Sequence, residues 1–268
     1  MSALNVSHAR TLPAVSSQRL IGQLQRVEDR HAAHLADLLK SCTEQAPCQS
    51  AACPACGAAF QQAAVRAVDE LICKPAREIR NRMSARTIVP ASGIVEPADL
   101  TVDIFERVGA EVLADFAKLQ LPPAIIGLEA SFNEDLTERI PPHWCVHPHA
   151  IQLDWLSPVQ EAGLRAAFPP SPYVKRPVRN DPLDHKIAGR LYPFKWERCR
   201  RVTFINASDP KRAPYRDTKH RPLRPAQAVQ LALAEHQLGF GRRLLTHQID
   251  ERAVRRLLEP YGWARDGL

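Results

Sequence analysis

Trp144-Cys145-Val146-His147-Pro148-His149-Ala150-Ile151 sets two imidazoles one residue apart in a short apolar run that reads as a β-strand. Side chains along a strand alternate between its faces, so His147 and His149 share one face and can reach one divalent cation from a rigid support. Imidazole is the commonest neutral metal ligand, and its second nitrogen is free to be oriented by a neighbour. Alone, the pair is also what two surface histidines on a half-buried strand would show, so its surroundings decide the reading.

Ala124 to Phe132 forms a second apolar run, separated from Trp144 to Leu153 by the polar loop Asn133 to Pro142. This pattern predicts adjacent antiparallel strands, most simply a hairpin. Leu20, Leu24, Val27, His31, Leu35, Leu38 and Leu39 recur at three- and four-residue steps, which predicts one amphipathic helix over 18–40. Further helices are expected over 63–79, with Pro75 kinking it, and over 97–119, 157–168, 226–238 and 251–258. Strands are expected over 173–178 and 201–205 and around Leu244, and a basic, proline-punctuated loop over 210–225. The organisation predicted is a helical segment over 1–120, a core sheet over 121–210 and a basic loop with C-terminal helices over 211–268.

The chain of 268 residues is 45% apolar and 24% charged, as in soluble globular proteins. No apolar run reaches the roughly 18 residues that span a bilayer, and His8, Arg10 and Arg19 interrupt any signal-peptide core, so no membrane association and a cytoplasmic location are expected. The net charge of +7 is concentrated in one place. Between Lys175 and Arg224 stand fifteen Lys and Arg against five Asp and Glu, a net of +10. Lys175, Arg176, Arg179, Arg190, Arg198, Arg200, Arg201, Lys211, Arg212 and Arg216 are the candidate nucleic-acid contacts. Tyr173, Tyr192, Phe194, Trp196, Phe204 and Tyr215 interleave with them. Phosphate neutralisation plus base stacking is how proteins hold single-stranded nucleic acid.

Four of the seven cysteines fall within fifteen residues as Cys42, Cys48, Cys53 and Cys56. The Cys53-Pro54-Ala55-Cys56-Gly57 segment has zinc-knuckle spacing, in which two thiolates approach one ion from a turn that Gly57 would permit. Cys48 and Cys42 are the first choices to complete a tetrahedral structural zinc site, with His34 or Cys73 as substitutes, in a loop-rich element outside the hydrophobic core. A thioredoxin-like redox pair is the rival, although no strand precedes Cys53 and two more cysteines stand close by. Cys145 and Cys199 read as ordinary buried thiols.

The order of these pieces resembles the HUH endonucleases: a cysteine element, a helical stretch, a strand with Glu129, the His147-Pro148-His149 strand and a downstream tyrosine in basic context. It is most similar to rolling-circle plasmid replication initiators and related transposases. Trp144 to Ile151 matches that family's metal-binding strand, and Glu129-Ala130-Ser131-Phe132-Asn133 its preceding strand. The resemblance covers about residues 42–195 and implies an α+β fold whose central antiparallel sheet carries the metal site, with a helical zinc-binding segment before it and a basic helical part after it. It also implies Glu129, His147 and His149 as ligands of a divalent cation, Mn²⁺ or Mg²⁺, and single-stranded DNA as the partner, nicked and rejoined at an origin or element end. Two imidazoles and a carboxylate leave open positions on such an ion, suited to polarising a scissile phosphate.

Family members attack with a tyrosine and carry a lysine a few residues along the same helix. Tyr192-Pro193-Phe194-Lys195 is the leading candidate, with Tyr192 as nucleophile and Lys195 assisting, although Pro193 fits a helix only in its first turn. Tyr173 and Tyr215 are alternatives. A non-catalytic zinc-containing DNA-binding protein derived from such an initiator would keep the same cysteines and charge. A small-molecule metallohydrolase, with His143 and His185 as added ligands, leaves the basic aromatic segment unexplained.

Overall fold

A computed structural model describes residues 17–70, 83–183, 191–195, 198–208 and 213–259, with the backbone alone at Pro182, Tyr192 and Leu257. In chain order these form α1 (17–24), α2 (Arg30–Lys40), α3 (Pro54–Val68), β1 (Ser84–Ile88), β2 (Ile94–Val95), α4 (Val102–Lys118), β3 (Ala124–Asp135) and β4 (His143–Gln152). There follow α5 (Pro158–Ala167), β5 (Val178–Pro182), a single 3-10 turn at Tyr192–Phe194, β6 (Cys199–Asn206), β7 (Tyr215–Pro222), α6 (Pro225–Arg243), β8 (Leu244–His247) and α7 (Glu251–Leu258).

The sheet grows outward from the predicted hairpin. β3 and β4 pair antiparallel from Ala124↔Gln152 to Asn133↔His143, which sets Glu129 directly opposite His147. β1 and β2 line the outer edge of β4, and β5 adds to β1. The outer edge of β3 is shared: β8 runs antiparallel along Ala124 to Gly127, β6 runs parallel along Phe132 to Asp135, and β7 closes that side against β6. The sheet is therefore mixed rather than wholly antiparallel. The chain leaves β4, passes through β5 and returns on the far side of β3 in the direction of β3 itself.

Alternation gives the two faces opposite characters. Ile126, Leu128, Ala130 and Phe132 of β3, with Trp144, Val146 and Ala150 of β4, are buried on one face, where Val108, Val112 and Phe116 of α4 share their apolar clusters. Burial of each large side chain contributes roughly 1.5–3 kcal/mol. Trp144 donates its indole N–H to Gln230 Oε1 at 2.9 Å, so its one polar atom is satisfied within the core. Glu129, Ser131 and Asn133 of β3 and Cys145, His147 and His149 of β4 take the other face, which lines a cleft. At the Gly127 end that face is covered by the Tyr192–Phe194 turn, whose Pro193 carbonyl oxygen occupies the space a Cβ on residue 127 would need.

Several expectations are corrected. The first helix is two helices, because Asp29 ends the run and caps α2 by accepting from the Ala32 N–H at 2.8 Å. The Cys53 segment is the start of α3 rather than a loop, and Cys53, Cys56 and Phe60 belong to the main apolar cluster. Gly57 lies inside that helix; among the described glycines only Gly239 has a positive φ. The remainder of the predicted 63–79 helix lies outside the described residues beyond position 70. The strand expected over 173–178 begins where that window ends, at Val178. The loop expected over 210–225 contains β7, an edge strand with seven of its eight residues exposed and hence no apolar alternation to reveal it.

Replacing Gly127 by Ala tests the contact that closes the sheet end. The added methyl meets backbone rather than a flexible side chain. Urea unfolding is expected to show a loss of about 1–3 kcal/mol; an unchanged midpoint would mean that the 192–194 turn does not sit against β3.

Candidate metal centre and its cleft

Glu129, His147 and His149 present ligand atoms that all lie within 4.8 Å of one another. The hairpin register makes this happen: Glu129 faces His147 across the ladder, and His149 follows two residues on along the same face. Both rings are buried, and each is held by its Nδ1. That of His147 donates to the Cys145 carbonyl at 2.9 Å, and that of His149 lies 2.9 Å from Thr87 Oγ1 on β1. Nε2 of each ring is thereby left for the carboxylate side, the arrangement by which outer partners set metal-ligand tautomers.

Glu129 Oε2 sits 2.8 Å from His149 Nε2, and its side chain is 13% exposed. At that distance His149 Nε2–H donates to the carboxylate, and a cation bound between them would take the place of that proton. Burial works against the Glu129 carboxylate, but the adjoining His149 and His147 rings and Lys195 outweigh it and hold its pKa at about 2. Burial, followed by the neighbouring His149, lowers His147 to about 4. A carboxylate and an imidazole held in their metal-binding protonation states fit a divalent ion.

The Tyr192–Phe194 turn delivers Lys195 to this centre, with Nζ 3.9 Å from Glu129 Oε2. Pro193 and Phe194 are buried beneath it. The turn is a 3-10 segment, so Tyr192 and Lys195 do not share a regular helix; the Tyr192 side chain lies outside the described residues. Arg243, at the end of α6 and buried, donates to the Leu128 carbonyl at 3.0 Å and to the Lys195 carbonyl. It ties the turn to β3.

The centre lies in a cleft of about 980 Å³ that Lys175, Arg176, Arg179, Arg201 and Arg216 also line. Not all the predicted basic contacts face it equally. Arg198 bonds Glu235 at 2.6 Å and the Ala51 carbonyl at 3.1 Å, Arg200 bonds Glu134, and Arg216 bonds Asp135 at 2.6 Å. Tyr173 lines the cleft beside His143, whereas Tyr215 hydrogen-bonds Asn206 at 3.2 Å on the exposed edge. Cys145 is buried, with its thiol pushed up to about 12 by that burial, while Cys199 is only half-buried, 3.7 Å from His220 Nδ1. Cys73, His185, Arg190, Trp196, Lys211 and Arg212 lie outside the described residues.

The second centre is the four-cysteine group. Cys42 and Cys56 sulfurs are 3.6 Å apart, and the Cys48–Cys56 and Cys42–Cys53 pairs 3.7 Å. A tetrahedron with metal–sulfur bonds of about 2.3 Å has edges of about 3.8 Å, so the sulfurs already stand at ligand spacing. No pair is a disulfide. Hydrogen bonds from Cys48 and Cys56 lower the Cys53 thiol, whereas Cys48 is raised by its bond to Cys53. The cluster holds one thiolate readily, and the charge of a cation is what allows the others to ionise.

Thr87 and Arg243 were missed by reading the sequence, since neither carries a motif and both act through tertiary contacts. Thr87→Val keeps the shape of the residue and removes its oxygen. Co²⁺ titration of the Glu129–His147–His149 centre is expected to show affinity lower by about 10–100-fold; unchanged affinity would exclude Thr87 as the group that orients His149.

No protein-family model matches this chain, nor does any curated protein or solved structure.

Proposed function

We propose that this chain is a divalent-metal-dependent enzyme that nicks and rejoins single-stranded DNA, acting as a rolling-circle replication initiator or related transposase. The observation that carries the reading is the convergence of Glu129, His147, His149 and Lys195 on the floor of a cleft rimmed by Lys175, Arg176 and Arg201. A divalent cation held there supplies Lewis-acid polarisation of a scissile phosphate. The three-ligand set, with two imidazoles, suits Mn²⁺ better than Mg²⁺, which prefers oxygen donors. At the four-cysteine group we assign structural zinc, from its all-thiolate donors and tetrahedral spacing.

In this mechanism the rim cations hold the DNA backbone, and Lys195 offsets charge on the phosphate beside Glu129. Tyr192 supplies the nucleophile: its phenolic oxygen gives up its proton and bonds to phosphorus, the bond from phosphorus to the 3′ oxygen breaks, and a proton returns to that oxygen, so none is gained or lost overall. A 5′ phosphotyrosine remains, and the reverse step rejoins the strand. The competing reading, a zinc-containing DNA binder without catalysis, draws on one feature. Pro193 and the short 3-10 turn replace the tyrosine helix that the resemblance implies.

The two separate on covalent chemistry. Labelled single-stranded DNA incubated with the protein and Mn²⁺ should yield a product that survives boiling in detergent. Tyr192→Phe should abolish that product while sparing metal binding, and His147→Ala or His149→Ala should slow nicking on the order of 100-fold or more. Tight DNA binding with no adduct would leave the non-catalytic reading standing.

A further inference from the structure

We propose that Tyr173, backed by His143, forms a stacking subsite for one unpaired nucleobase at the rim of the cleft; this rests on the single-stranded DNA reading above. Tyr173 is 38% exposed although aromatic, in a turn that points it into the same cavity as the metal ligands. Its ring meets that of His143 edge to face, with centroids 4.8 Å apart and planes at 70°. An edge-to-face pair fixes the tyrosine ring while leaving at least one of its faces open.

The platform is rigid from below. His143 is buried, and its Nδ1 donates to the Pro141 carbonyl at 2.9 Å, which fixes the ring. The turn holding Tyr173 is closed by two bonds: the Ser171 N–H donates to the Val174 carbonyl at 2.9 Å, and the Val174 N–H to Ser171 Oγ at 3.0 Å. A side chain ordered before binding loses little freedom when its ligand arrives. Lys175 and Arg176 follow directly and are exposed, and Arg179 lies on β5 next to them. A π-face flanked by cations matches a base joined to phosphates, and the bases of a duplex are already stacked on one another, which leaves unpaired bases as the ligand class.

Distance gives the subsite its role. His143 and His147 are four residues apart on β4, roughly 13 Å at the rise of a strand. Tyr173 stands beside the His143 end of β4, so a base held there lies along the strand from the metal ligands. Holding it would fix the register of the strand across the metal centre.

The test uses the full chain and a fluorescein-labelled oligonucleotide of twenty deoxythymidines, without added divalent metal, followed by anisotropy. Tyr173→Ala should weaken binding by about 5–100-fold, with the slope of affinity against salt unchanged because the phosphate contacts remain. Tyr173→Phe should bind like the parent chain. If the parent binds and Tyr173→Ala binds equally well, the subsite is refuted while the metal-centre reading stands. If Tyr173→Phe fails as Ala does, the hydroxyl makes the contact and stacking is refuted. A parent chain with no affinity for the oligonucleotide overturns both.

Discussion

The register of β3 against β4 is the constraint on which the rest depends. A slip of one residue would turn Glu129 into the apolar layer and bring Leu128 to the cleft, because side chains alternate with period two. That slip is opposed by the burial of Leu128, Ala130, Phe132, Trp144 and Val146 in one cluster with Val108 of α4. Apolar burial and ligand geometry are thus set by one choice. The core that positions His147 opposite Glu129 is built from apolar contacts between the strands and α4.

Along the other edge of β3, β8 ends at Gly127 and β6 begins at Phe132, and among the described residues no strand pairs with the stretch between. Buried backbone groups need partners. Arg243 meets this need at the Leu128 carbonyl, and its second bond, to the Lys195 carbonyl, recruits the 192–195 segment into the same gap. A buried guanidinium is costly to desolvate, and burial lowers its pKa, with Glu235 and Glu129 acting in the opposite sense. The gap in the sheet is what brings Lys195 next to Glu129.

The hairpin, its histidine pair and Glu129 were legible in the sequence because strand alternation is local and because His and Glu are uncommon in apolar runs. The cysteine group was legible for a similar reason, since its spacing is independent of distant contacts. β1 and β7 were not. β1 is five residues long, and its Thr87 acquires meaning only through Thr87↔His149 pairing. β7 reads Tyr-Arg-Asp-Thr-Lys-His-Arg-Pro, and its strand form comes from backbone pairing with β6, which hydropathy does not encode. The basic segment was read correctly as charge but not as geometry. Arg198 and Arg200 are engaged by Glu235 and Glu134, while Lys175, Arg176 and Arg201 remain exposed in the cleft.

The Arg198–Glu235 pair is one of three contacts that tie the cysteine segment and α3 to α6. Ser50 Oγ lies 3.0 Å from His236 Nδ1, Phe60 stacks on Phe240 with centroids 4.4 Å apart, and Arg198 bridges the Ala51 carbonyl to Glu235. All three contacts join the cysteine segment or α3 to α6, and Arg198 immediately precedes β6. The floor of the cleft, by contrast, rests on the pairing of β3 with β4 and on α4. Loss of order at the cysteines would therefore reach the cleft by two routes, its β6 wall, where Arg201 stands, and α6, whose Arg243 holds Lys195 against β3. The cysteine group is thus joined to the cleft through α6 and the β6 wall, not through the β3–β4 pairing that carries His147 and His149.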